Sequence, residues 1–157
     1  MKNGLALLVA ALSVGGVHAA PAPPPIEVRA VSVHLFLTPS GEFSDDVAAM
    51  PGFSSWNFTP SVPTGRNDQR FESYLVKVRL GTKKEAFHKG HVGSVSVLSR
   101  RNKKVLYSSA VRGLYIGAEG ETVVARLVEG HVCEPVTVVV AIGSSRLSKN
   151  LEFLCGE

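Results

Sequence analysis

Apolar residues recur at every second position along most of this chain, and that period constrains its fold more than any other feature. Tyr74, Val76, Val78 and Leu80 alternate with Leu75, Lys77 and Arg79, and Val95 and Val97 lie between Ser94, Ser96 and Leu98. Successive strand side chains point to opposite faces, so such segments bury one face and wet the other. Ile26 to Leu37, Lys104 to Val111, Thr122 to Val128, Val136 to Ile142 and Leu147 to Leu154 continue the theme. β-branched residues fill these segments, and no long helical pattern interrupts them. Turn chemistry separates them at Pro39-Ser40-Gly41, at Arg100-Arg101-Asn102-Lys103 and across the glycines from Gly113 to Gly120. About seven short strands with regular turn signals predict an all-β fold, a single immunoglobulin-like β-sandwich.

Local irregularities refine this. The first strand alternates through Ile26 and Val28, then resumes one residue late at Val31, Val33, Leu35 and Leu37. A slip of one residue would move the apolar set to the wrong face, so a bulge is expected near Ala30. Ser44-Asp45-Asp46 ahead of Val47 to Met50 predicts one helical turn capped by Ser44 and ended by Pro51-Gly52. Thr59 to Arg70 reads as a long irregular loop, the kind of segment that often carries function.

The opening residues set the compartment. Lys2 precedes an apolar run from Leu5 to Val14, and Val17-His18-Ala19 supplies small residues at the spacing of a signal-peptidase site. That is the layout of a secretory signal peptide. The apolar stretch from Gly4 to Val17 is too short for a membrane span, which needs roughly 20 residues. The expected organisation is a signal peptide at 1–19, a proline-rich tether at 20–25 and one β-sandwich domain at 26–157. Removing Lys2 with the signal lowers the formal net charge from +4 to +3. So mild a charge gives no reason to expect nucleic acid, and no aromatic residues interleave with the basic ones as a nucleic-acid groove requires.

An exported chain with two cysteines, Cys133 and Cys155, reads as carrying one disulfide. A three-residue hairpin loop at Gly143-Ser144-Ser145 would pair Ile142 with Arg146 and set the cysteines directly opposite each other.

No motif announces catalysis: the chain has no G-x-S-x-G, no H-E-x-x-H, no phosphate loop and no dinucleotide fingerprint. Phe53, Trp56 and Phe58 form an aromatic group that either plugs one end of the sandwich or offers a platform to a partner. Arg100, Arg101, Lys103 and Lys104 make a basic tip, suited to solvent, to edge protection or to anionic envelope polymers. His88 and His91 flank Lys89-Gly90, an H-x-x-H with imidazole chemistry suited to copper or zinc, although Gly90 disfavours the helix that would align them. No cofactor is implied.

Leu151 to Glu157, with Val132-Cys133-Glu134-Pro135 upstream, resembles small secreted bacterial β-sandwich proteins of unassigned function. Val33-His34-Leu35-Phe36, followed by Ser40-Gly41 and Ser44-Asp45, is similar to the same group. The resemblance covers the two ends better than the middle and implies export and a β-sandwich. Together these features favour a periplasmic or secreted, non-enzymatic binding module of the cell envelope. Its partner would be an envelope or extracellular protein or glycan, met by the loops from Gly41 to Arg70. The alternative is a periplasmic metal-binding protein using His34, His88, His91 and His131.

Overall fold

Every segment with apolar alternation forms a strand. The computed structural model describes residues 24–57, 59–61, 70–130 and 133–156. The signal segment at 1–19 and tether positions 20–23 lie outside the described residues. In chain order the strands are β1 (Glu27–Leu37), β2 (Glu42–Phe43), β3 (Ser54–Trp56), β4 (Thr59–Pro60), β5 (Phe71–Gly81), β6 (Ala86–Ser99), β7 (Val105–Ile116), β8 (Glu121–Glu129), β9 (Val136–Ile142) and β10 (Ser145–Leu154). Seven are long, as the pattern predicts, and β2, β3 and β4 are short additions. Two sheets result, ordered β2-β1-β5-β8 and β4-β3-β10-β9-β6-β7. The long strands alone give an immunoglobulin-like sandwich. Its fourth long strand, β7, lies in the second sheet rather than joining the first, as a constant-type domain would have it.

The faces that meet are those the alternation marks. Val33, Leu35, Val76 and Leu80 from the first sheet face Val95, Val97, Val138 and Val140 from the second, and all eight are fully buried. Each contributes about 1.5–3 kcal/mol through removal from water. Strand β7 runs through Gly113 to Ile116, where a break was expected. Leu114 and Ile116 are buried, and Gly113 at φ 60° absorbs the irregularity without ending the strand.

The bulge near Ala30 is present. The register between β1 and β5 shifts between Val28 and Ala30, leaving Arg29 as the extra residue. Its guanidinium crosses the backbone of Gly81 to pair with Glu121 on β8. Both charges are well exposed, so the pair adds at most about 1 kcal/mol.

Asp46, not Ser44, caps the turn after β2. Its Oδ1 accepts from Ala48 N–H at 3.1 Å, and Ala49 N–H closes the turn on the Asp46 carbonyl at 3.1 Å. Ser44 is occupied elsewhere. Leu35 N–H donates to Ser44 Oγ and Ser44 N–H donates to the Leu35 carbonyl, both at 2.9 Å. Val33 N–H donates to Asp46 Oδ1 at 2.8 Å, and Val47 N–H donates to the Val33 carbonyl at 2.9 Å. The segment therefore acts as a substitute strand along β1. It satisfies edge groups that would otherwise invite another chain.

The last hairpin corrects a predicted register. Ile142 faces Ser145, so the loop is Gly143-Ser144, two residues rather than three. Gly143 at φ 55°, with no positive φ at Ser144, is the type II′ arrangement whose twist suits a tight hairpin. Had the ladder continued, Cys133 would have met Leu154. It stops at Val136, and the departing segment is tied instead by Arg100 N–H donating to the Pro135 carbonyl at 2.8 Å. Cys133 thereby escapes the ladder and bonds Cys155 with a Cα–Cα separation of 5.0 Å.

Tyr74 lies in the core, 2% exposed, with its ring centroid 5.4 Å from that of Phe153. Its hydroxyl has no hydrogen-bond partner among the described residues. Burial, with a lesser effect from Tyr107, pushes its phenol well above the ordinary value of 10.0. A buried unsatisfied hydroxyl is a cost rather than an asset.

Two outcomes are expected. Asp46→Ala strips the acceptor from two backbone amides and lowers the unfolding free energy by about 2 kcal/mol in urea titration. Tyr74→Phe is neutral or raises the melting temperature at pH 7. Because the folded-state value is raised, the contribution of Tyr74 is complete below pH 10 and is lost as pH rises beyond it. Melting curves between pH 9 and 11 should then fall less steeply for Tyr74→Phe than for the parent chain.

Candidate functional site

The antiparallel ladders place the ends of β1, β6, β8 and β10, and the starts of β5, β7 and β9, at one end of the sandwich. At that end Phe153 of β10 meets Phe71 and Tyr74 of β5, with ring centroids 5.8 and 5.4 Å apart. Phe53 adds an edge-on contact to Phe153 at 6.2 Å. Phe53 is buried, so it belongs to the plug beneath the site. Phe58 lies outside the described residues. Trp56 is different: 56% of it is exposed.

The backbone around Trp56 explains how so large an apolar side chain stays in place at the surface. Strand β3 pairs in parallel with the end of β10, matching Ser54, Ser55 and Trp56 to Glu152, Phe153 and Leu154. Phe53 and Ser55 are buried and Trp56 points outward, so the strand period delivers the indole to the surface. Asn57 turns the chain at φ 54°, a left-handed conformation that asparagine tolerates better than most residues. Its N–H donates to the Leu154 carbonyl at 2.7 Å, and its Oδ1 accepts from Gly156 N–H at 3.1 Å. The Gly156 backbone lies directly against the indole. A Cβ there would come within 2.6–2.9 Å of the Trp56 ring, so any larger residue would have to displace the indole. Cys155, between Leu154 and Gly156, is held by the disulfide.

Trp56 forms the apolar wall of an open cleft of about 470 Å³ that Asn57, Thr59, Ser61 and Arg70 complete. Arg70 is exposed, its carbonyl accepts from Thr38 N–H at 2.8 Å, and its guanidinium makes no ion pair among the described residues. Among the described residues the lining offers one aromatic ring, two hydroxyls, an amide and a cation, and it holds no carboxylate or imidazole to serve as a general base.

The other predicted residues divide between the two ends. Arg100, Arg101, Lys103 and Lys104 form the turn between β6 and β7 at the Trp56 end, three strands or roughly 14 Å across the sheet. Arg100 is paired with Glu152, and Lys103 takes φ 62°. His88 and His91 lie at the opposite end, on a cleft of about 340 Å³ shared with Pro24, Pro25, Ile26 and Lys89. The Nε2 of His88 is buried without a hydrogen-bond partner among the described residues. His34 does not join them. It projects from the first sheet, with Nδ1 2.9 Å from the Ser44 carbonyl and Nε2 3.0 Å from Ser32 Oγ. His131 lies outside the described residues, and among those described no three His, Cys, Asp or Glu side chains converge.

Asn57, Thr59, Ser61 and Arg70 lie within the loops from Gly41 to Arg70 expected to meet a partner, though none was named individually as a contact, and Gly156 escaped the sequence reading. The signal for Arg70 was its place at the end of the proline-bearing loop; for Asn57 it was an amide immediately after an exposed tryptophan. No protein-family model matches the chain, and no similar curated protein is found. No helix among the described residues is long and apolar enough to cross a membrane.

The disulfide closes a loop of sequence separation 22. Cys133→Ala should cost about 3 kcal/mol by the chain-entropy relation. Urea unfolding followed by Trp56 fluorescence measures it. Reduction should cost the parent chain a similar amount and the variant nothing further.

Proposed function

We propose that this protein is an exported, non-enzymatic binding module of the cell envelope and that the Trp56 cleft is its contact surface. The observation that carries this reading is the construction around Trp56. A parallel strand pairing, an asparagine turn and a glycine contact hold the indole while more than half of it faces solvent. Large exposed aromatics with a polar surround are the usual anchors of recognition sites. Preorganisation lowers the entropy lost on binding.

Export is supported by the signal-like opening residues and by the disulfide, a bond typical of oxidising compartments. The resemblance to small secreted bacterial proteins points the same way. A binding role is supported by what the described residues of the cleft offer, an indole, two hydroxyls, an amide and a guanidinium, which suit recognition. The metal alternative rests on His88 and His91 alone among the described residues, and two imidazoles fall short of the ligand set of an ordinary zinc site.

The test is retention of envelope fractions on immobilised parent protein and on Trp56→Ala. The parent should retain a component that Trp56→Ala releases. Equal retention by both, or none by either, would overturn the proposal.

A further inference from the structure

Resting on the reading of Trp56 as a binding contact, we infer that the cleft takes an acidic glycan, with a pyranose ring on the indole and its carboxylate on Arg70. Two features of the lining favour sugar over peptide. A peptide anchor needs a mostly apolar pocket around its side chain. Among the described residues Trp56 is the single apolar wall, and Asn57, Thr59, Ser61 and Arg70 supply polar groups. A sugar ring has the matching character, with C–H groups on one face and hydroxyls around its rim. The indole rests close to the Gly156 backbone, which steadies the ring on which a sugar would stack.

The acidic preference comes from Arg70. Its guanidinium carries five donors in a planar fork that matches a carboxylate. Among the described residues no acidic partner occupies it, whereas Arg29 and Arg100 are each paired with a glutamate. Among the described residues of the cleft no carboxylate is present to repel an anion. Farther along the same end, Arg101, Lys103 and Lys104 are exposed on the β6–β7 turn. Roughly 14 Å from Trp56, they are within reach of a ligand a few sugar residues long. The ligand class is therefore a polyuronate or another carboxylate-bearing oligosaccharide.

Trp56 is the only tryptophan in the chain, so its fluorescence reports the cleft without interference. The experiment titrates the disulfide-intact protein with a galacturonate tetrasaccharide, with a neutral glucose tetrasaccharide of the same length, and with tetra-aspartate. The uronate should shift Trp56 emission saturably, more tightly than either control. Arg70→Gln, at an exposed position, should weaken uronate binding about tenfold or more, the loss of a charge-assisted pair. It should leave any neutral-sugar response unchanged. Equal affinity for neutral and acidic sugars, or no effect of Arg70→Gln, would overturn the acidic assignment. Equal binding of tetra-aspartate would overturn the sugar. If no probe binds while envelope retention still depends on Trp56, the glycan inference fails and the binding reading stands. If retention is also independent of Trp56, both fail.

Discussion

Phe153 is the residue on which the Trp56 end of this molecule depends. It comes from β10 in the second sheet, yet its ring packs against Phe71 and Tyr74 of the first sheet and against Phe53 in the loop before β3. A single buried side chain thus joins both sheets and the segment that leads into the cleft. Aromatic contacts of this size add about 0.5–1.5 kcal/mol each beyond area burial. More important is the geometry. With Phe153 fixed, the end of β10 is fixed, and β3 has a rigid edge to pair with.

Everything outside follows from that anchorage. The parallel pairing of β3 sets Trp56 outward, the Asn57 turn ties the chain to Leu154 and Gly156, and the disulfide holds Cys155 between them. The exposed indole is therefore a surface of the core, one residue removed from buried Ser55 and three from buried Phe53. Along the free side of β1, the strand that packs over β10, the same economy appears in another form. Ser44 and Asp46 stand in for a strand along β1, so the first sheet needs no further partner on that side. On its outer face, exposed Val123 sits beside Arg79 and exposed Ala125 beside Lys77, which breaks up an otherwise apolar surface.

Local pattern made the strands and the bulge legible, because alternation and its slip at Ala30 are properties of neighbouring residues. What it misplaced were choices between local and distant partners. Ser44 has the composition of an N-cap, but the edge of β1 competes for its hydroxyl, and Asp46 caps the turn instead. Gly143-Ser144 suits a two-residue turn as well as the start of a longer one, and twist decided for the shorter. The disulfide was correctly paired for a reason only partly right, since Cys133 reaches Cys155 by leaving the ladder. The cleft was least legible. The hydrogen bond from Gly156 to Asn57 spans a sequence separation of 99, and no local signal announces a parallel pairing of that kind. Phe53 and Trp56 look alike as aromatic residues, and only the strand period around Ser55 separates core from surface.

The central claim is that Trp56 is held by the coupling of β3 to the end of β10. Amide hydrogen exchange measures that coupling directly, at Asn57 N–H bonded to Leu154 and at Gly156 N–H bonded to Asn57. In the oxidised protein both amides should exchange far more slowly than in an unfolded chain. On reduction of Cys133–Cys155 they should lose protection before the amides of Val97 and Val138 in the core. Unprotected Asn57 and Gly156 in the oxidised protein would contradict the account.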